Sequence, residues 1–249
     1  MRMRNFCISC FLLLISIGTA NAQLNARSSK VDAAFQKQQD SIIARLNRIN
    51  IKGVPAGMYL RSFKYEKILE VWVREKNSSA YKLYKTYDVC TQIGTIGPKR
   101  VEGDYQVPEG FYYINEFKQN SAYYLSLGIN YPNASDRILS DPARPGSAIY
   151  VHGSCVSVGC LPITDKNIEE LFVLGKMVSD QNEQEFIPVH IFPIRYNNKK
   201  SAEFLQQITK GNQNLALFNA NIKQVYDYFE TKKSLPLILV NNKGEYLLN

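Results

Sequence analysis

Residues 149–165 read IYVHGSCVSVGCLPITD and gather His152, Cys155 and Cys160 within nine residues of a chain that has two histidines and five cysteines. Three chemistries could use such a cluster. A zinc site would take both thiolates and the imidazole, but these spacings lack the paired C-x2-C pattern and a fourth ligand would have to come from elsewhere. A Cys155–Cys160 disulfide would close a very short loop and constrain the unfolded chain only slightly. The third possibility is a nucleophile with its base. A thiolate attacks carbonyls where a thiol does not, and a nearby imidazole can take the proton. Cys160 is the better nucleophile of the two, because it precedes a predicted helix start whose amides favour negative charge. Gly159 beside it would let a substrate approach the backbone.

The remaining cysteines bear on the choice. MRMRNFCISCFLLLISIGTANAQ opens with Arg2 and Arg4, runs apolar from Phe6 to Ile17 and closes on Ala20-Asn21-Ala22. That pattern predicts a secretion signal over residues 1–22, with an apolar run short of the roughly 20 residues a membrane span needs. Export would place the protein in the periplasm or cell wall, with no stable membrane anchor after cleavage. It would also remove Cys7 and Cys10 and leave Cys90, Cys155 and Cys160. An odd number in an oxidising compartment leaves at least one thiol unpaired within the chain. Cys90, at the end of a strand-like run, reads as a small buried residue.

The formal net charge of +8 falls to +6 once the two arginines of the signal are gone, with 28 basic and 22 acidic residues left. So modest an excess suits anionic surroundings such as a cell wall, and equally an ordinary basic secreted protein. No basic run or aromatic-rich basic stripe points to nucleic acid.

The elements that must position the cluster follow from periodicity. Val31, Phe35, Ile42, Leu46 and Ile49 recur at helical spacing, which predicts an N-terminal helical segment within residues 23–56. GMYLRSFK, KILEVWVRE and YKLYKTYDVC read as strands, the last with Tyr81, Leu83, Lys85, Tyr87 and Val89 on one face. Residues 94–110 are rich in Gly, Pro and charge and read as loop. FYYINEF and AYYLSLGI add strands, and residues 130–146, with three prolines, read as a long polar connection able to line a cleft. SAIYVH is a short strand. Thr164-Asp165 can cap a helix over KNIEELFVLGKMVSD. FIPVHIFPI is a buried strand. Two helices near 200–210 and 214–233 and a hairpin turning at Asn242-Lys243-Gly244 form a C-terminal appendage, residues 196–249. The class is α+β with a mostly β core.

HGSCVSVGC resembles the His-Gly…Ser-x-Gly-Cys signature of the L,D-transpeptidase (YkuD) catalytic domain family. GPKRVEGDYQVPEGFYYI and SLGINYPNASD resemble further segments of that family in the same order, and HGSCVSVGCLPITD with IPVHIFPIR is most similar to its YafK-type branch. The resemblance covers residues 57–195. It implies a YkuD-like α+β catalytic core with flanking helices, acting on peptidoglycan stem peptides and needing no metal or other cofactor. Cys160 is implied as nucleophile and His152 as base, with the carbonyl of Gly153 orienting the imidazole. Gly159 and Cys160 amides would form an oxyanion hole, and Ser157 would shape the loop. Two departures stand out: Pro162 occupies a position where many members have arginine, and the His-to-Cys spacing is shorter than in most. The expected product of the thioester is a peptide transferred to an amine. The alternative is a murein peptide hydrolase or amidase of the same family that uses water, and a wall-binding module without turnover is a further class.

Among the other residues, His190 alternates with apolar neighbours and reads as structural. Arg137 and Arg144 could clamp a carboxylate or simply be solvated, and Tyr123 or Tyr131 could rim the cleft.

Overall fold

A computed structural model describes residues 30–249, so the predicted signal over 1–22 lies outside the described residues. Residues 30–48 are helical (α1). Ala34, Gln38, Ile42 and Leu46 repeat every fourth residue and form its buried stripe, flanked by the partly buried Val31, Phe35, Ile43 and Ile49. That is the amphipathic geometry expected of a helix docked by one face.

Eight strands form one mixed sheet: β1 (Gly57–Phe63), β2 (Ile68–Arg74), β3 (Lys82–Asp88), β4 (Gly110–Ser121), β5 (Tyr124–Ile129), β6 (Ile149–His152), β7 (Leu161–Pro162) and β8 (Pro188–Phe192). Their order is β3-β2-β1-β8-β4-β5-β6-β7. Between β5 and β6 lies the short helix α2 (Ala134–Leu139), and between β7 and β8 lies α3 (Asp165–Ser179). The chain closes with α4 (Lys199–Thr209), α5 (Gln213–Lys232) and a separate hairpin of β9 (Ile238–Val240) and β10 (Tyr246–Leu248).

Strand alternation sorts the side chains onto two covered faces. Met58, Leu60, Leu69, Val71, Val73, Val189 and Ile191 join the core that includes α1 and α3. The intervening Tyr59, Phe63, Trp72 and Phe192 pack instead with Ile222, Val225, Tyr226 and Phe229 of α5. Strands buried on both sides need apolar residues at successive positions, which is how KILEVWVRE and FIPVHIF read. Polar side chains on the α5 face are paired. Arg61 binds Glu70 at 2.8 Å and Glu230 at 2.6 Å, and Trp72 Nε1 donates to Glu70 at 2.8 Å.

Three local expectations are corrected. In β3 the buried tyrosines are Tyr84 and Tyr87, while Leu83 is exposed. A register shift opposite Val71/Trp72 puts one extra residue into β3, and such a bulge breaks strict alternation. The 130–146 connection is not all loop: Asn133 caps α2 in a capping box with Asp136. Thr164 precedes α3 but makes no side-chain capping bond.

The two edges of the sheet approach each other. Just past β3, the Cys90 amide donates to the Pro162 carbonyl of β7 at 3.0 Å, so the strongly twisted sheet curls until its first and last strands nearly meet.

Candidate active site

The His152–Cys160 loop leaves β6 and returns as β7. These strands pair in parallel, with Val151 opposite Leu161 and His152 opposite Pro162. The loop's base is pinned from α3: Asp165 Oδ1 accepts the Ser154 amide at 2.7 Å, so this carboxylate holds the loop. A Cβ at Gly153 would collide with Asp165 Oδ1 and the Tyr123 carbonyl, which is why glycine is needed there. Positive φ angles cluster around the site, at Ala148 (57°), Ser154 (60°), Gly159 (128°) and Thr164 (72°). Backbone conformations of this kind persist only where their surroundings enforce them. Here the Ile163 amide donates to His152 O at 2.9 Å and the Thr164 amide to Ser154 O at 3.2 Å.

His152 is buried and its Nδ1 lies 2.5 Å from Gly153 O. A carbonyl only accepts, so Nδ1 carries the proton and Nε2 keeps its lone pair. Nε2 is buried without a hydrogen-bond partner. Burial holds the imidazole below its ordinary pKa, partly offset by the bond to Gly153. The Tyr123 ring stacks on it, centroids 4.5 Å apart.

Cys160 is the free cysteine among the described residues. Its sulfur lies 3.7 Å from Ala148 O. Burial pushes the thiol's pKa up, opposed by the Tyr150 amide and the Lys99 ammonium. Ser157 Oγ accepts the Gly159 amide at 3.1 Å and the Cys160 amide at 2.8 Å, and donates to Cys160 O at 2.9 Å. The two amides expected to form an oxyanion hole are therefore turned onto the Ser157 hydroxyl. At Gly159 a Cβ would meet Gln106 O at 3.0 Å, so the loop lies close against the 94–109 segment.

Cys155 is bonded to Cys90, with Cα atoms 5.6 Å apart. Cys90 is exposed, so it is not the small buried residue expected, and the Cys155–Cys160 bridge is not formed. With Cys155 committed, the zinc set of His152, Cys155 and Cys160 is not assembled. Arg137 and Arg144 are exposed. Tyr131 is buried and donates to Pro145 O at 2.8 Å, whereas Tyr123 lies beside His152. His190 is far along the sheet on the α5 face, its ring 4.7 Å from those of both Tyr59 and Phe111. Sequence reasoning named Asp165 only as a helix-capping residue, and did not single out Lys99 or the Cys90–Cys155 pair. The odd cysteine count was the one signal that could have raised Cys90.

A curled mixed sheet flanked by helices, with a His-Gly…Ser-x-Gly-Cys loop between its last two strands, defines an α+β protein of the L,D-transpeptidase class. The chain belongs to the YkuD family: the family's L,D-transpeptidase catalytic domain matches residues 67–191. A relative from Escherichia coli (strain K12), named "Putative L,D-transpeptidase YafK", is 31% identical over 253 residues, spanning 99% of this chain and 91% of the relative. The protein of the same name from Escherichia coli O157:H7 matches to the same extent. Among solved structures, the helical cell shape determining protein Pgp2 from Campylobacter jejuni is 20% identical with a TM-score of 0.42, covering 81% of this chain and 80% of that one. Bd1075 of Bdellovibrio bacteriovorus is 19% identical with a TM-score of 0.39, covering 76% and 83%.

Proposed function

We propose that the protein is an exported, cysteine-dependent L,D-transpeptidase acting on peptidoglycan stem peptides, with residues 57–195 carrying the chemistry. The observation that supports this most is the buried, unpartnered Nε2 of His152, on an imidazole whose other nitrogen is fixed on Gly153 O. It belongs to the strand paired with β7, directly after Cys160. In this reading Nε2 takes the Cys160 proton as the sulfur attacks the carbonyl of the stem's third residue, a diamino acid. The tetrahedral intermediate collapses to a thioester, and the departing amine of the following residue carries away the proton from Nε2. An acceptor amine then attacks the thioester, gives its proton back through His152 and restores the thiol. Ser157, Gly159 and Gly153 shape the loop that presents the sulfur.

Purified enzyme, with the Cys90–Cys155 bond intact and Cys160 free, is incubated with tetrapeptide muropeptides, with and without a free D-amino acid, and the products are weighed by mass spectrometry. Exchange of the terminal residue or cross-linked dimers is expected, and Cys160→Ala should give neither while remaining folded. Shortened or detached stems alone, at every acceptor concentration, would replace transfer with hydrolysis.

A further inference from the structure

Tyr150 runs from the nucleophile to a pair of opposite charges. The parallel register of β6 and β7 sets Tyr150 one step before Val151, beside Cys160, and the Cys160 sulfur takes the Tyr150 amide. Register also aligns Tyr150 with Gly128 on β5 and Gly128 with Glu116 on β4, while His152 lies in line with Ser126 and Lys118. Alternate residues of a strand share a face. Glu116, Lys118, Tyr150 and His152 therefore stand on the face opposite the core residues Leu127 and Val151. Gly128 leaves the Tyr150 ring room to lean over β5: a Cβ there would meet Glu116 Cβ at 3.0 Å and Tyr150 Cε1 at 3.4 Å. The hydroxyl at the far end of the ring donates to Glu116 Oε2 at 3.3 Å and accepts from Lys118 Nζ at 3.3 Å. Among the described residues, neither charged side chain has another hydrogen-bond partner or an ion-pair partner. Glu116 is exposed, and Lys118 and Tyr150 are half-buried.

We propose that Glu116, Lys118 and Tyr150 recognise the free end of the side chain of the stem's third residue, and that this end is a zwitterion, an ammonium beside a carboxylate. This rests on the reading of Cys160 as the nucleophile that attacks that residue's carbonyl. Two opposite charges held apart by a hydroxyl match a ligand that carries the same two charges in reverse. Glu116 takes the ammonium, Lys118 takes the carboxylate, and the Tyr150 hydroxyl lies between them. The reach agrees. β4 lies two strand spacings from β6, about 10 Å. Extended, the side chain of a long diamino acid carries its terminal nitrogen about 7 Å from the attacked carbonyl carbon, and that carbon approaches the sulfur to about 3 Å. The same separation keeps the bound ammonium from being the amine that attacks the thioester, so the cluster recognises the donor peptide and not the acceptor.

The test measures binding by titration calorimetry to the full chain carrying Cys160→Ala, with the Cys90–Cys155 bond intact. Three synthetic tetrapeptides differ only at the end of the third side chain: ammonium with carboxylate, ammonium with carboxamide, or ammonium alone. The first should bind about 10-fold more tightly than the other two. Lys118→Met should bring it down to their level and leave theirs unchanged, and Lys118→Arg should keep the preference. Glu116→Gln should weaken all three alike by about 10-fold, because each carries the ammonium. A purely structural role of the cluster predicts equal losses for the three peptides in Lys118→Met. That result, equal binding of the three by the Cys160→Ala protein, or no binding of any, overturns the proposal. If Lys118→Met does not fold, Lys118→Gln removes the same charge and is read in the same way. Turnover is scored separately with the wild-type enzyme. Products formed from all three peptides at equal kcat/KM leave the reaction standing and sink the recognition, whereas ranked binding without products does the reverse.

Discussion

Cys90 and Cys155, 65 residues apart, are joined by a disulfide that ties the end of edge strand β3 to the loop carrying Cys160. Because β3 and β7 are opposite edges of the sheet, the bond holds the curl closed and anchors the front of the site with one link. Closing a loop of this length removes about 4 kcal/mol of chain entropy from the unfolded state. The double variant Cys90→Ala/Cys155→Ala should therefore melt about 10 °C lower in calorimetry. A melting point within about 2 °C of wild type would show that packing of the edges, and not the bond, keeps the sheet closed.

His152→Gln should slow acylation by about 10²–10⁴-fold with little change in melting temperature. The pH profile carries the sharper expectation. Burial depresses the imidazole, so the base form persists below the ordinary histidine range near 6.5. The acid limb of kcat/KM should then lie below pH 6.5, with activity lost as pH falls through the depressed value. Tyr123→Ala opens the stacked face of the ring to water and should move that limb upwards. A wild-type limb above 6.5, or a Tyr123→Ala limb that stays put, would remove His152 from the role of buried base.

Much of this arrangement was legible before any coordinates. The helical spacing of apolar residues in α1, the strand-like run of β2, the buried strand β8 and the Asn-Lys-Gly turn are local signals, and each element lies where its pattern placed it. What was hidden is non-local. The β3 face depended on a bulge set by pairing with β2, and α2 depended on a two-residue cap inside a polar stretch. No spacing rule joins Cys90 to Cys155; the insertion of β8 between β1 and β4 and the resulting curl bring them together. The His152–Cys160 motif was readable as a string. Ser157 was implied as shaping its loop, but the contacts were not legible: the Asp165 carboxylate accepts the Ser154 amide, and the Ser157 hydroxyl accepts the Gly159 and Cys160 amides.

His190 should govern stability, not turnover. Its Nδ1 shares a 2.9 Å hydrogen bond with the Tyr59 hydroxyl, and burial followed by the Arg61 charge lowers its pKa to about 3. The folded protein therefore refuses a proton that the unfolded chain accepts below about 6.5, and stability falls as pH drops from 6.5 towards 3. Asp136 works in the opposite sense, since its pKa, raised to about 6 chiefly by burial, adds stability at low pH that is lost as pH rises from about 4 to 6. The informative quantity is thus the difference between wild type and His190→Gln in urea unfolding at several pH values. The variant should lose the acid-dependent decline assigned to His190, on the order of a few kcal/mol. Parallel pH curves for the two proteins would mean that His190 is not the proton-refusing group.

Lys64 and Glu109 form an ion pair with no exposure on either side chain. The three ammonium hydrogens are all used, at 2.9 Å to Glu109 Oε1, 2.8 Å to Gly97 O and 2.9 Å to Val107 O. Glu109 Oε1 also accepts the Gly97 amide at 2.7 Å. One lysine just past β1 thus fixes both ends of the 97–107 loop, the segment that bears Lys99 and lays Gln106 O against Gly159. Removing one member strands the other as an unpaired charge with no exposure to solvent, which costs about 3–5 kcal/mol. Lys64→Met and Glu109→Leu should each lower the unfolding free energy measured in urea by that order. Removing both charges together relieves the stranded ion, so the double variant should be less destabilised than the sum by about 1–3 kcal/mol. It does not return to wild type, because Gly97 O, Val107 O and the Gly97 amide lose their partners. Hydrogen exchange should locate the damage in residues 97–107, with α1 and α3 still protected. Strict additivity of the two substitutions, or exchange that rises evenly over the whole chain, would show that the pair is not the anchor of this loop.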